Sequence, residues 1–301
     1  MSLHRPVAER LLAAGLDPDD TERVVRGALD EDFRYGPDIT SAATAGAGAS
    51  AVAGVVARQP GVLAGLPVAL AVLDAAGVPP EAAEQLRDDG DRIDRGTEVL
   101  RVMAPLREML GAERTLLNFV THLSGVATTT LAWVDAVAGT GCTVRDTRKT
   151  TPGLRQLEKY AVRCGGGMNH RMGLGDAALV KDNHVAAAGG IAAAVQAVRA
   201  AAPDMPLEVE CDNLAQVRDA LAAGAGLILL DNMDLADLRA AVALARRYPA
   251  VKLEASGGLR LDRARAVADT GVDYIAVGAL THSSPALDLG LDMLTATGDA
   301  S

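Results

Sequence analysis

The chemistry in this chain concentrates in one stretch, Arg145 to His184, which reads RDTRKTTPGLRQLEKYAVRCGGGMNHRMGLGDAALVKDNH. The chain as a whole carries a formal net charge of −10, yet this stretch holds five arginines, three lysines and two of the five histidines. Only four of the 29 Lys and Arg residues are lysine, and three of those four (Lys149, Lys159, Lys181) lie here. A chain that otherwise uses arginine and places lysine at chosen points asks for a compact point charge there, not a guanidinium fork. Arg155, Lys159 and Arg163 have helical spacing and read as a solvated face. Arg148-Lys149 and His170-Arg171 instead flank turn signals, Thr150-Thr151-Pro152-Gly153 and Gly165-Gly166-Gly167. Lys181 ends the apolar run Ala177–Val180. Cations arriving from loops and from a strand end describe a pocket for an anion.

Those residues need a frame. From Gly141 onward the pattern alternates short apolar strands with helices. Strands are expected at Cys142–Arg145, Ala177–Lys181, Leu207–Glu210, Gly226–Leu230, Val251–Ala255 and Tyr274–Val277. Helices are expected near 152–163, 190–202, 214–223, 235–248 and 261–270. Such alternation means a parallel sheet covered on both faces, and this many successive units favour a barrel over an open doubly wound sheet. Each strand finishes in polar residues: Arg145-Asp146, Lys181-Asp182-Asn183, Glu210-Cys211-Asp212, Asp231-Asn232, Ser256-Gly257-Gly258 and Gly278. The chemistry therefore points at one rim, the C-terminal face of the strands. Ser256, Gly257, Gly258 and Gly278 suit a phosphate, because glycines let backbone N–H groups approach an anion. Glu210 and Asp231 end neighbouring strands and are expected side by side, a pair that suits Mg²⁺ shared with a polyphosphate. His184 reads equally as structure or ligand, and Arg114 by its spacing alone reads as surface.

The 301 residues suffice for one large or two moderate domains. Residues 6–15 and 20–33 read as amphipathic helices, and Gly36–Ser41 as a polar turn. Short strands and one apolar helix, Leu66–Ala76, complete an α+β domain of the first hundred or so residues. A mostly helical run from Pro105 to Ala138, interrupted near Ser124-Gly125, leads into the second domain. An acidic balance and 2% aromatics exclude the basic, ring-bearing surface that nucleic acid needs. No apolar run reaches membrane-spanning length, and the start lacks a signal-peptide core. Three cysteines without CxxC spacing fit reduced, buried residues in a cytoplasmic protein. Lys181 also admits an aldolase-type reading as a Schiff-base nucleophile, which the crowd of neighbouring charges opposes.

At these residues the chain resembles the quinolinate phosphoribosyltransferase family over nearly its full length. The resemblance rests on Asp38-Ile39-Thr40-Ser41, Glu113-Arg114-Thr115, Leu123–Thr128, Asp146-Thr147-Arg148-Lys149-Thr150 and Gly165–Arg171. It continues through Lys181–His184, Glu208-Val209-Glu210, Leu230–Met233, Glu254–Gly258 and Val277–Leu280. It implies an α/β architecture: an incomplete, TIM-like α/β barrel at 116–283, with an N-terminal sandwich domain at 1–115 joined by a C-terminal helix at 284–301. It implies phosphoribosyl transfer from phosphoribosyl pyrophosphate to quinolinate, with decarboxylation, to give nicotinate mononucleotide in NAD biosynthesis. Arg114, Thr147, Arg148, His170, Arg171 and Lys181 map to the quinolinate pocket. Lys149, Glu210, Asp231, Ser256, Gly257, Gly258, Gly278 and His282 map to the phosphoribosyl side, with Mg²⁺ on Glu210 and Asp231. The catalytic set implied is Lys149, Lys181, Glu210 and Asp231. The resemblance also implies a homodimer or dimer-based hexamer with shared active sites, while composition and the lack of a spanning apolar run argue against nucleic acid and membrane as partners. A non-decarboxylating nicotinate phosphoribosyltransferase and a metal-transport-associated relative are the alternatives on the same fold.

Overall fold

The strands sort into a six-stranded parallel sheet, a four-stranded antiparallel sheet and a two-stranded pair of Gly61–Val62 with Arg92–Ile93. The computed structural model describes residues 2–46 and 48–297; Met1, Ala47 and 298–301 lie outside the described residues. One compact unit takes the chain up to Thr129, Thr151–Gly166 and the segment from Ser283; the other takes Thr130–Thr150 and Gly167–His282. The first holds β1 (Ser50–Ala57), β2 (Gly61–Val62), β3 (Ala83–Gln85), β4 (Arg92–Ile93) and β5 (Glu98–Pro105). The second holds β6 (Thr143–Arg145), β7 (Ala178–Val180), β8 (Leu207–Cys211), β9 (Leu227–Asp231), β10 (Lys252–Ser256) and β11 (Tyr274–Ala276). A last strand, β12 (Leu289–Thr297), returns to the first unit.

In the first unit an antiparallel sheet runs in the order β12-β1-β5-β3. The helix Leu66–Ala75 is apolar on every side and correspondingly buried. It packs against the helices Arg5–Ala13 and Pro18–Asp32, whose apolar faces are one-sided. The stretch 284–301, expected as a helix, is strand wherever its backbone is assigned between Leu289 and Thr297. Leu, Met and Ala favour a helix locally, but the segment pairs antiparallel with β1 and places Asp292 against Arg58, with Nη1 2.9 Å from Oδ2. Tertiary pairing outweighs propensity there. The polar turn expected at Gly36–Ser41 closes into a short helix, Ile39–Thr44, because the Asp38 carboxylate accepts the Ser41 N–H at 2.9 Å.

The run expected to break near Ser124-Gly125 is one continuous helix, Leu106–Val137, and the boundary expected at 115/116 falls inside it. Gly125 serves close packing: a Cβ there would stand 2.1 Å from the Pro285 carbonyl oxygen. Ser124 is buried and bonds both backbone groups of Ala64. Lys159, expected on a solvated face, is fully buried, since the helix Arg155–Cys164 turns Leu157–Val162 inward.

The second unit is a parallel sheet in the order β6-β11-β10-β9-β8-β7. Read from β7, strands follow sequence order through β11, and β6 closes on β11. No ladder joins β6 to β7 among the described residues; Met168 makes a single parallel bridge beside Arg145 at that edge. This is an incomplete α/β barrel, and its strands are short, apolar and flanked by helices as expected. Two short helices of this unit lie outside the expected ranges, Asp182–Ala188 and Ala279–His282. Asp182–Ala188 follows β7 directly, started by the Lys181 N–H donating to His184 Nδ1 at 3.0 Å. His184 is thereby a capping residue.

Candidate active site

The rim at the C-terminal strand ends is assembled by short backbone locks. After β6 the buried Asp146 carboxylate accepts the His170 N–H at 2.8 Å and Asn169 Nδ2 at 2.6 Å. That fixes the 168–171 segment beside the Thr147-Arg148-Lys149 loop. Lys149 is held through its own backbone. Its N–H donates to Thr147 Oγ1 at 3.0 Å, and its carbonyl accepts the buried Thr281 hydroxyl at 2.7 Å. Gly278 leaves the room its side chain needs, because a Cβ there would lie 2.9 Å from Lys149 Cδ and 3.3 Å from His282 Nε2.

A similar lock joins β9 to β10. Asn232 is left-handed (φ 54°), donates its N–H to the Ser256 carbonyl at 3.0 Å, and donates Nδ2 to Asp231 Oδ2 at 2.6 Å. Gly257 must be glycine on two counts. Its φ is +89°, and a Cβ would sit 2.4 Å from Asn232 Oδ1.

These elements surround a cavity of about 390 Å³, within the range of small-ligand sites. Nine expected residues line it: Thr147, Arg148, Lys149, His170, Arg171, Lys181, Glu210, Asp231 and Ser256. Leu179, Leu229, Glu254 and Ala276 complete the lining. Gly257, Gly258 and Gly278 sit in the adjoining loops and His282 ends the short helix Ala279–His282, all outside the lining itself. Arg114 is not part of this cavity; it lies exposed on the helix Leu106–Val137. A wider cleft of about 530 Å³ in the first unit, beside Phe33, Arg107 and Gly111, gathers no comparable set of cations. The chemistry selects the barrel rim.

Two details differ from the sequence reading. Glu210 and Asp231 are not level: Glu210 stands opposite Leu229, while Asp231 stands one pleat higher, opposite Ser256. The parallel register of the barrel staggers them. And Lys181 is not free, because its ammonium is ion-paired with Glu210. That pairing suits a carboxylate binder better than a Schiff-base nucleophile. Burial, together with the neighbouring Arg148 guanidinium, holds Arg171 below the ordinary arginine range. Two like charges side by side are stabilised by an anion placed between them.

Beneath the cavity the barrel interior is charged. His170 Nε2 lies 2.8 Å from Glu208 Oε2 and 3.5 Å from Glu254 Oε1, and Arg145 is ion-paired with Glu254 while stacking over Tyr274 at 4.9 Å. Burial first, then the Glu208 charge, pushes Glu254 up to about 7 despite Arg145. Between the ordinary carboxylate range and that value, the folded chain keeps a proton that the unfolded chain has released. This group's contribution to stability therefore falls as pH rises through that window. Glu254→Gln keeps the shape and removes the titration. Wild type should lose urea stability relative to the variant between about pH 5 and about pH 8; parallel profiles would contradict the raised value.

Glu208, Glu254, Asn232 and Thr281 carry much of this geometry and were given no role by the sequence. A signal for the first two exists in hindsight: Glu208 and Glu210, and likewise Glu254 and Ser256, alternate at period two and so share the inward face. Asn232 and Thr281 act through backbone contacts, which no spacing announces.

Fold and rim together define an α/β-barrel enzyme for small anionic substrates. The family model described as quinolinate phosphoribosyl transferase, C-terminal domain, matches residues 126–292, and its N-terminal counterpart matches residues 38–124. The chain is 55% identical over 277 residues to the nicotinate-nucleotide pyrophosphorylase [carboxylating] of Mycobacterium leprae, covering 91% of this chain and 98% of that one. It is 44% identical over 241 residues to a probable enzyme of the same name from Synechocystis, covering 79% and 81%. Among solved structures, the nicotinate-nucleotide pyrophosphorylase from Francisella tularensis superposes with a TM-score of 0.86 at 39% identity, covering 91% of this chain and 96% of that one. The chain belongs to the quinolinate phosphoribosyltransferase family. It is a phosphoribosyltransferase.

Proposed function

We propose that this chain transfers the phosphoribosyl group of phosphoribosyl pyrophosphate to quinolinate and releases CO₂, giving nicotinate mononucleotide and pyrophosphate. The observation that carries this reading is one cavity holding three cations for carboxylates (Arg148, Arg171, Lys181) beside Lys149 and two carboxylates, Glu210 and Asp231. Arginine forks bind carboxylates bidentately and fix the plane of the ring. The pyridine nitrogen then attacks the anomeric carbon as the bond to pyrophosphate breaks, and that electron pair leaves with pyrophosphate. Lys149 meets the negative charge on the leaving group, while the rim carboxylates meet the positive charge on the ribose ring. Once the nitrogen is quaternary, CO₂ departs from the adjacent carbon and leaves its electron pair there. The positive nitrogen stabilises that carbanion until it takes a proton. For this step the chain supplies orientation and exclusion of water.

Glu210 and Asp231 offer only oxygen ligands at a phosphate-binding rim, a donor set that fits Mg²⁺ better than a softer metal. These two carboxylates would hold Mg²⁺, which when bound would supply positive charge to offset the negative charge developing on the pyrophosphate. No helix among the described residues is long and apolar enough to cross a membrane. The cytoplasm is our reading of the compartment, supported by three free cysteines whose thiols burial pushes up to about 12. A homodimer, or a hexamer built from dimers, is our reading of the assembly, with Arg114 completing the partner's quinolinate pocket.

The deciding assay supplies quinolinate, phosphoribosyl pyrophosphate and Mg²⁺ and follows CO₂ and mononucleotide together. Nicotinate, which lacks one carboxylate, should bind about 10- to 100-fold more weakly than quinolinate, because a charged donor set is left without its partner. Comparable turnover of the two acids would favour the non-decarboxylating alternative.

A further inference from the structure

We propose that Glu208 and Glu254 form a buried clamp on Nε2 of His170, and that through His170 they position Arg171 for the carboxylate it binds. The proposal rests on reading Arg171 as a ligand of quinolinate. A backbone N–H can only donate, and the Arg171 N–H points at His170 Nδ1 from 2.7 Å. Nδ1 therefore carries the lone pair, and the ring proton sits on Nε2. Nε2–H in turn lies 2.8 Å from Glu208 Oε2 and 3.5 Å from Glu254 Oε1.

The second carboxyl group has a purpose in this arrangement. The opposite tautomer would aim a lone pair at Glu208 Oε2, so Glu208 selects Nε2–H. Glu254, whose Oε1 stands 3.5 Å from Nε2 without a hydrogen bond, closes the other side of the ring nitrogen. Both glutamates are buried, and each leaves its Oε1 without a hydrogen-bond partner. Such a cluster costs desolvation and is poor evidence for stability. It has a use if it fixes one ring orientation. Glu254 is itself fixed by Arg145, and the His170 N–H is fixed by Asp146. His170 is then a positioning residue: both its ring nitrogens are engaged by the protein, so it offers no free N–H to a ligand.

The test compares Glu208→Leu with Glu208→Gln by steady-state kinetics, and reads the tautomer of His170 by NMR of ¹⁵N-histidine-labelled protein. Glu208→Leu should raise KM for quinolinate about 10- to 100-fold and leave KM for phosphoribosyl pyrophosphate within about threefold, the scale seen when an outer partner of a liganding histidine is lost. Glu208→Gln should recover most of the quinolinate KM, since its carbonyl oxygen still accepts from Nε2–H. In wild type the spectrum should show Nδ1 bare and Nε2 protonated. A protonated Nδ1, a Gln variant no better than Leu, or KM values for both substrates rising together would overturn the clamp. If Glu208→Leu does not fold, the wild-type spectrum and the Gln variant still decide. Absence of quinolinate turnover in wild type would instead sink the functional reading, and the spectrum would report on the clamp regardless.

Discussion

Asp231→Ala and Glu210→Ala should each lower kcat/KM for phosphoribosyl pyrophosphate by about two to three orders of magnitude, the loss typical when a preorganised group facing transition-state charge is removed. Both side chains line the rim cavity from neighbouring strands. Circular dichroism and urea unfolding check that neither loss is a folding defect. Among the described residues the Glu210 side chain makes only its ion pair with Lys181, and the Asn232 N–H bond to the Ser256 carbonyl holds the β9–β10 turn when Asp231 is removed. The two variants should differ in one informative respect. Glu210 is ion-paired with Lys181, which stands on the quinolinate side. Removing Glu210 frees that ammonium, so quinolinate alone should bind about two- to fivefold more tightly to Glu210→Ala, the scale of a partly exposed ion pair. Asp231→Ala should leave quinolinate affinity unchanged. Initial rates at varied phosphoribosyl pyrophosphate, with calorimetric titration of quinolinate, separate these effects. Equal losses for both substrates, or activity indifferent to a chelator, would remove the metal assignment.

The parts of this molecule legible in its sequence are those governed by periodicity and by residue type at a strand end. Apolar runs such as Ala177–Val180 or Gly226–Leu230 read as covered strands, and the polar residues closing each strand mark the rim. Four of the nine cavity residues, Lys181, Glu210, Asp231 and Ser256, follow from that pattern; Arg148, Lys149, His170 and Arg171 follow from cations placed beside turn signals, and Thr147 from the family resemblance alone. What was misread depends on contacts that sequence neighbours do not reveal. Gly125 resembles a helix break until the Pro285 carbonyl is seen pressed against it. The segment after Pro285 has helix-forming residues but finds an open edge on β1. His170 has the look of one more cation. Its backbone neighbour, Arg171, instead sets its tautomer, and the charges that matter to it, Glu208 and Glu254, lie on strands far along the chain.

Arg114 is where residue physics and family resemblance diverge most, and there the resemblance makes a demanding prediction. Its spacing marks it as surface, and it lies exposed on the helix Leu106–Val137. If it completes a neighbouring chain's quinolinate pocket, a two-fold dimer has two equivalent sites, each built from Arg114 of one chain and Arg171 of the other. Arg114→Ala and Arg171→Ala homodimers should then both be nearly inactive, since losing one partner of a charge-assisted contact costs about 2–5 kcal/mol. Co-refolding the two variants changes the outcome. A mixed dimer has one site lacking both arginines and one lacking neither. With random pairing about half the dimers are mixed, so activity should return to about a quarter of wild type, as symmetry requires. Activity of a mixed preparation, measured after native mass spectrometry has verified heterodimer formation, reads this directly. Should verified heterodimers stay as inactive as their parents, Arg114 acts within its own chain or not at all.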